Sequence, residues 1–273
     1  METHKVAYLN QEVAYSISGK GPVVVWLHGF MEDKSIWHKQ LEVFDAYFTN
    51  ICVDLLGHGA SDNVQPHHSM LLHANGVEAV LEHLNIDTFS LIGHSMGGYI
   101  ALAMEKTGRF QVQHLVLLNS TSRRDSQEKK MNRLRAIDLI EKGQKELYIR
   151  TGIMQLFSPD KAQELQVEIQ NLLSKSLKMT DESIIASLLG MKSKLDHVAV
   201  LQSFIGPKLI ISGRKDTIIP LEASKYEAML TKSKHIILEG GHMSHLEAPS
   251  KLNEVLLEFL QKPVEIVEES IKS

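Results

Sequence analysis

Short apolar runs alternate along this chain with longer stretches whose apolar positions recur at helical spacing. Val6–Leu9 and Glu12–Ser18 read as two paired strands turning at Asn10-Gln11, and Gly19-Lys20-Gly21-Pro22 ends the pair. Val23–Leu27 is a continuous apolar run, as in a strand buried on both faces. Ser35–Phe44 predicts a helix with Ile36, Leu41 and Phe44 inward, and Asn50–Asp54 predicts another buried strand. Residues 70, 71, 74, 77, 80, 81 and 84 are apolar, which predicts a helix over Met70–Leu84. Phe89–Ile92, His114–Leu118, Lys208–Ser212 and His235–Leu238 complete the strands, most of them separated by helical segments. This alternation predicts an α/β fold with a largely parallel sheet and right-handed crossovers.

One connection breaks the rhythm. Residues 119–207 separate two successive strands, whereas a crossover needs only about a dozen residues. The excess predicts a helical lobe over roughly 120–203, a cap above the catalytic end of the sheet. Met131, Leu134, Ile137 and Ile140 mark its first helix, with Gly143 as a stop. Ser158-Pro159-Asp160 is a helix-start signal, followed by Ala162, Leu165, Ile169, Leu172, Leu173 and Leu177 at helical spacing. Thr180 caps a further helix carrying Ile184, Ile185, Leu188 and Leu189. The expected organisation is a core of residues 1–119 and 204–262, the inserted cap 120–203, and a charged, frayed tail at 263–273.

The chemistry centres on Gly93-His94-Ser95-Met96-Gly97, placed between a strand and a helix expected to start near Met96. A serine on such a turn is a nucleophile elbow. Gly93 and Gly97 are expected because side chains there would collide with the serine or its neighbours. The helix N-terminus brings free N–H groups and partial positive charge, so the Met96 amide is a candidate oxyanion donor. A serine hydroxyl needs a base, and the base an orienting acid. Asp216 follows one strand end through Gly213-Arg214-Lys215, and His242 follows the next through Glu239-Gly240-Gly241. Both fall at the C-terminal edge, where catalytic loops of open α/β sheets collect. His245 is a second candidate base; His242 is favoured because paired glycines let its loop approach closely. Trp26-Leu27-His28-Gly29-Phe30 leaves its strand through His-Gly, which places the Phe30 amide as the second oxyanion donor and His28 as a brace for the loop.

Together these segments resemble the α/β-hydrolase superfamily, in its small cap-bearing carboxylesterase and lipase-like branch. The resemblance rests on His28-Gly29-Phe30, the loop Asp54–Ser61, Gly93–Gly98, Gly213–Asp216, Gly241-His242 and Glu247-Ala248-Pro249, in the family's order over nearly the whole chain. It implies that the Asp54–Ser61 loop is structural. Serine at 95 differs from the aspartate of haloalkane dehalogenases and epoxide hydrolases. His-Gly-Phe differs from the His-Gly-Gly-Gly of the branch favouring bulky tertiary-alcohol esters. Met96 stands where proline iminopeptidases carry tryptophan.

Bulk properties narrow the partners. The chain has 273 residues, 43% of them apolar, with a net charge of −4, so neither nucleic acid nor an anionic membrane is an expected partner. No apolar segment of signal-peptide or membrane-spanning type is seen, and the lone Cys52 fits a reducing compartment, so a cytoplasmic location is expected. Neither a metal nor a cofactor is expected: His67-His68 with His73 matches no zinc spacing, and His38 and His83 read as surface residues. Trp37, Met31, Met154, Leu156 and Phe157 are candidates for an acyl pocket or for plain packing. The expected activity is hydrolysis of small-molecule carboxylic esters with small to medium acyl groups. The same triad would equally serve lactone, thioester, amide or C–C bond hydrolysis, and a ligand-binding protein with little turnover is the rival of another class. The oligomeric state is open.

Overall fold

A computed structural model describes residues 2–262; the expected frayed tail 263–273 lies outside the described residues. Eight strands form one sheet: β1 (His4–Tyr8), β2 (Gln11–Gly19), β3 (Val23–Leu27), β4 (Thr49–Val53), β5 (Thr88–His94), β6 (Gln111–Leu118), β7 (Lys208–Gly213) and β8 (Lys234–Leu238). Their spatial order is β1-β2-β4-β3-β5-β6-β7-β8. β2 runs antiparallel to β1 and β4, and every pairing from β4 to β8 is parallel. The helices are α1 (His38–Phe44), α2 (Met70–His83), α3 (Met96–Thr107), α4 (Gln127–Glu141), α5 (Lys145–Leu156), α6 (Gln166–Ser176), α7 (Asp181–Ser193), α8 (Val198–Ser203), α9 (Leu221–Thr231), α10 (Ser244–Glu247) and α11 (Pro249–Leu260). None among the described residues is long and apolar enough to cross a membrane.

The parallel strands are buried on both faces, and their alternate side chains split the core in two. Val25, Leu27, Ile51, Leu91 and Leu117 join α2, α3 and the helices between β6 and β7. Val24, Trp26, Cys52, Ile92 and Val116 join α1 and α11. Trp26 anchors that second layer: Trp37 lies 5.0 Å and Phe44 5.1 Å from its ring, and its indole N–H donates to Asn50 Oδ1 at 3.0 Å.

Local chemistry moved three boundaries. The first hairpin turns at Leu9-Asn10, not Asn10-Gln11: both have positive φ (50° and 62°), a two-residue turn whose twist matches the strands, and Tyr8 pairs with Gln11. The segment before α1 is a 3₁₀ turn over Lys34–Trp37, capped by the Asp33 carboxylate, so regular helix begins only at His38. Ser158 does not start a helix. Its N–H and hydroxyl are both held by Glu247, and regular helix begins at Gln166. Thr180, by contrast, caps α7 through the Ser183 N–H.

The Asp54–Ser61 loop is built around buried charge. Asp54 Oδ2 pairs with Lys34 Nζ at 2.6 Å, its oxygens also accept the Lys34 and Ala60 amides, and Ser61 Oγ donates to its carbonyl. Beside it His68 and His73 are buried, with His58 completing a chain of rings 6.3 Å and 5.2 Å apart. No ring nitrogen of His68 or His73 has a hydrogen-bond partner among the described residues. Burial is the main cause that pushes His58 down to about 3, His68 to about 4 and His73 well below the ordinary value.

The unfolded chain protonates these histidines near pH 6.5, while the folded chain resists. Their stabilising contribution is therefore present above that value and lost as pH falls toward 4. Each group whose uptake differs costs about 1.4 kcal/mol per pH unit, so the three together give a slope of roughly 4 kcal/mol per unit within the window. Urea unfolding at pH 7, 6 and 5 measures this; a flat stability curve would contradict the buried neutral cluster.

Candidate active site

β5 delivers Ser95 to the C-terminal edge of the sheet, and α3 begins at the next residue. The turn is too tight for ordinary backbone: Ser95 has φ 49° and ψ −114°. Such a conformation costs about 1–3 kcal/mol and persists only where neighbours enforce it. Here the Ser95 N–H donates to the Leu118 carbonyl at 3.0 Å, and the Ser95 carbonyl accepts from Ser120 Oγ at 2.7 Å and the Gly98 N–H at 3.0 Å. The glycines permit close approach of backbone to backbone. A Cβ at Gly93 would lie 2.4 Å from the Gly97 oxygen, and one at Gly97 would lie 2.3 Å from the Leu27 oxygen.

The sequence-derived acid and base meet the serine. His242 Nε2 lies 2.8 Å from Ser95 Oγ, and its Nδ1 lies 2.8 Å from Asp216 Oδ2. An ionised Asp216 only accepts, so Nδ1 carries the ring proton and Nε2 faces the serine hydroxyl as acceptor. Asp216 is buried and its other oxygen accepts the Ile218 and Ile219 amides at 2.8 and 2.9 Å. Burial pushes its carboxyl up. The His242 charge and hydrogen bond, with the Ile219 amide and Asn119, outweigh this and hold it below the usual carboxylate range. The His242 N–H donates to the Leu156 carbonyl at the end of α5. His245, the alternative base, is fully buried on α10, and neither of its ring nitrogens has a hydrogen-bond partner among the described residues.

The His28-Gly29-Phe30 turn packs against the start of α3, because Gly97 sits on the Leu27 and His28 carbonyls. His28 braces the loop as expected: Nε2 accepts the Leu55 N–H at 2.9 Å and Nδ1–H donates to the Gly29 carbonyl at 2.7 Å. Phe30 and Met96 thus lie on adjoining segments, Met96 at the first residue of α3. Of the acyl-pocket candidates, Trp37 belongs to the far core layer and Met154 is exposed, while Met31 and Phe157 are buried and Leu156 adjoins His242.

Three site residues escaped sequence reasoning. Asn119, directly after β6 with φ 46°, donates Nδ2–H to Asp216 Oδ2 at 2.9 Å and to the Gly241 carbonyl at 3.2 Å. An asparagine tolerates this left-handed backbone, and its place at a strand end is the signal that was available. Glu32 and His94 are buried beside the elbow, 3.1 Å apart. With His245 they place potential ligand atoms within 4.8 Å of one another, a grouping that scattered sequence positions did not announce.

A model of the alpha/beta hydrolase family matches residues 24–255, and the chain belongs to that family. A thermophilic esterase from Thermogutta terrifontis, solved with malate bound, superposes with a TM-score of 0.89 at 26% identity, covering 95% of this chain and 98% of that one. A putative carbamate hydrolase, RutD of Pantoea ananatis, is 27% identical over 246 residues, 88% of each chain. A shorter match to an uncharacterized protein of Mycobacterium tuberculosis is 33% identical over 107 residues, 39% of this chain and 31% of that protein.

The crowding at the elbow is testable without any substrate. Gly97→Ala forces a methyl into the Leu27 carbonyl and is expected to destabilise the protein by about 1–3 kcal/mol, the range for an overpacked core. Denaturant titration against wild type reads the difference; an unchanged midpoint would mean that the α3 and β3 backbones separate freely.

Proposed function

We propose that the chain is a serine hydrolase of carboxylic esters with small to medium acyl groups. The observation that carries this reading is the continuous hydrogen-bonded line Ser95–His242–Asp216, with both contacts at 2.8 Å. Ser95 Oγ attacks the ester carbonyl and passes its proton to His242 Nε2. Asp216 fixes the tautomer and stabilises the imidazolium. The Phe30 and Met96 amides hold the oxyanion. Collapse of the tetrahedral intermediate expels the alcohol, which takes the proton from His242, and leaves an acyl group on Ser95. Water, deprotonated by His242, then attacks that acyl group and releases the acid and the free serine.

Residues 120–203 serve in this reading as a cap. The helices α4–α8 depart from β6 at the catalytic edge, and α5 meets the base through the Leu156–His242 backbone bond. Further ties run from α6 to the segment after Phe30: Ser176 Oγ to the Met31 carbonyl at 2.7 Å, and Lys175 to Asp33 at 3.0 Å. Such closure favours short acyl chains. Carbamates are the second reading, favoured by the RutD similarity, and would use the same nucleophile and base. The lone Cys52, buried in β4, is consistent with a reducing cytoplasm.

A fluorophosphonate probe is expected to label Ser95. Turnover of short-chain p-nitrophenyl esters is expected to fall by about 10⁴-fold or more in Ser95→Ala. Labelling elsewhere, or activity kept in the variant, sinks the mechanism. Faster turnover of long-chain triacylglycerols than of butyrate esters would refute the size limit.

A further inference from the structure

Glu32 and His94 are nearly inaccessible, at 3% and 0% exposure, and the mechanism above uses neither. Their hydrogen bonds define an arrangement with one purpose. Glu32 Oε2 accepts the Gly29 N–H at 2.7 Å. Glu32 Oε1 lies 3.1 Å from His94 Nε2, and His94 Nδ1–H donates to the Leu118 carbonyl at 3.2 Å. With Nδ1 committed to a carbonyl, the Nε2–Oε1 contact is attractive only if a proton lies in it. The pair therefore holds one proton between two heavy atoms, whichever side it sits on, and is neutral overall. Burial raises the Glu32 carboxyl, while the neighbouring His94, with His245 and His28, outweighs it and holds the carboxyl below the usual carboxylate range.

The two ends of this pair are the two walls of the oxyanion site. Gly29 directly precedes Phe30 in the loop after β3, and His94 ends β5, two residues before Met96. The carboxylate packs directly on Gly29, where a Cβ would lie 2.8 Å from Glu32 Oε1. We propose that Glu32 is a positioning residue: by clamping the Gly29 amide to His94 it fixes the separation of the Phe30 and Met96 amides. This inference rests on the serine hydrolase reading. The clamp works in a dry setting, so its hydrogen bonds meet no competing water. His245, 4.6 Å from His94 between ring centres, contributes no hydrogen bond to either residue. The three residues offer ligand atoms for a cation, but the 3.1 Å contact has the length of a proton-bridged pair, and Glu32 Oε2 is already taken.

Glu32→Gln separates hydrogen bonding from charge. A glutamine oxygen accepts from Gly29, its amide donates to a neutral His94 Nε2, and the clamp survives without the proton. Glu32→Ala removes it. With p-nitrophenyl butyrate as the probe, Glu32→Ala is expected to lose about 10–100-fold in kcat, less than the 10²–10³ of a deleted oxyanion donor. KM in Glu32→Ala and kcat in Glu32→Gln are each expected to stay within about threefold of wild type. Glu32→Asp, one methylene shorter, replaces Glu32→Ala should the latter fail to fold. A folded Glu32→Ala with wild-type kcat, a loss confined to KM, or a Glu32→Gln as impaired as Glu32→Ala overturns the proposal. So does about one equivalent of zinc per chain by plasma mass spectrometry, absent from Glu32→Gln, which would make the group a metal site. Turnover that persists in Ser95→Ala defeats the hydrolase reading instead and leaves the clamp a structural bond.

Discussion

The backbone of Ser95 sets the terms for everything around it. A residue at φ 49° and ψ −114° is unfavourable by itself, and only a close-packed surround makes it the lowest state. That surround has specific requirements. β5 must be central in the sheet so that β6 can supply the Leu118 carbonyl to the Ser95 amide. α3 must press on β3, which leaves no volume for a Cβ at Gly97. The same closeness brings the amide of Met96 beside the loop of Phe30. The strained turn, the parallel sheet and the proposed oxyanion site are one packing solution.

Around that turn the structure buries many polar groups, and each is held by a different device. Lys34 and Asp54 neutralise each other, with amides filling the remaining lone pairs. Removing one partner of such a pair costs about 3–5 kcal/mol, because the other charge stays buried. Asp216 is held by two amides, an asparagine and His242. His73 has no hydrogen-bond partner among the described residues, and burial holds both it and His68 below the ordinary histidine range. The loops at the C-terminal edge of the sheet are thus held by directional bonds as well as by apolar contact.

Periodicity exposed the sheet because parallel strands buried on both faces leave apolar runs, as at Val23–Leu27. Ser95, Asp216 and His242, which the structure brings within hydrogen-bond distance, each follow such a run in a glycine-rich turn. What stayed hidden depends on partners distant in sequence. Glu32 lies 62 positions from His94, and Asn119 lies 97 from Asp216. Ser158 shows the converse error. Its local signal, a cap followed by proline, was sound, but Glu247 from 89 positions away took both its N–H and its hydroxyl. The Leu9-Asn10 turn was missed because leucine at positive φ is rare, and the register of β1 on β2 imposed it.

The bond between the His242 amide and the Leu156 carbonyl ties α5 to the loop after β8. Leu156 ends α5, and Ser158, two residues on, is fixed by Glu247 at the end of α10. The segment 156–158 therefore holds both the His242 loop and the end of α10. If α5 moves to admit substrate, the backbone of His242 loses an acceptor at the same moment. In the proposed mechanism, closure of the cap would then do more than exclude water: it would also restore the backbone support of His242. The clamp inferred at Glu32 would hold the opposite wall independently, through groups that belong wholly to the core. One side of the site would then be rigid and the other coupled to the insertion, which divides the task of stabilising the oxyanion from that of admitting the substrate.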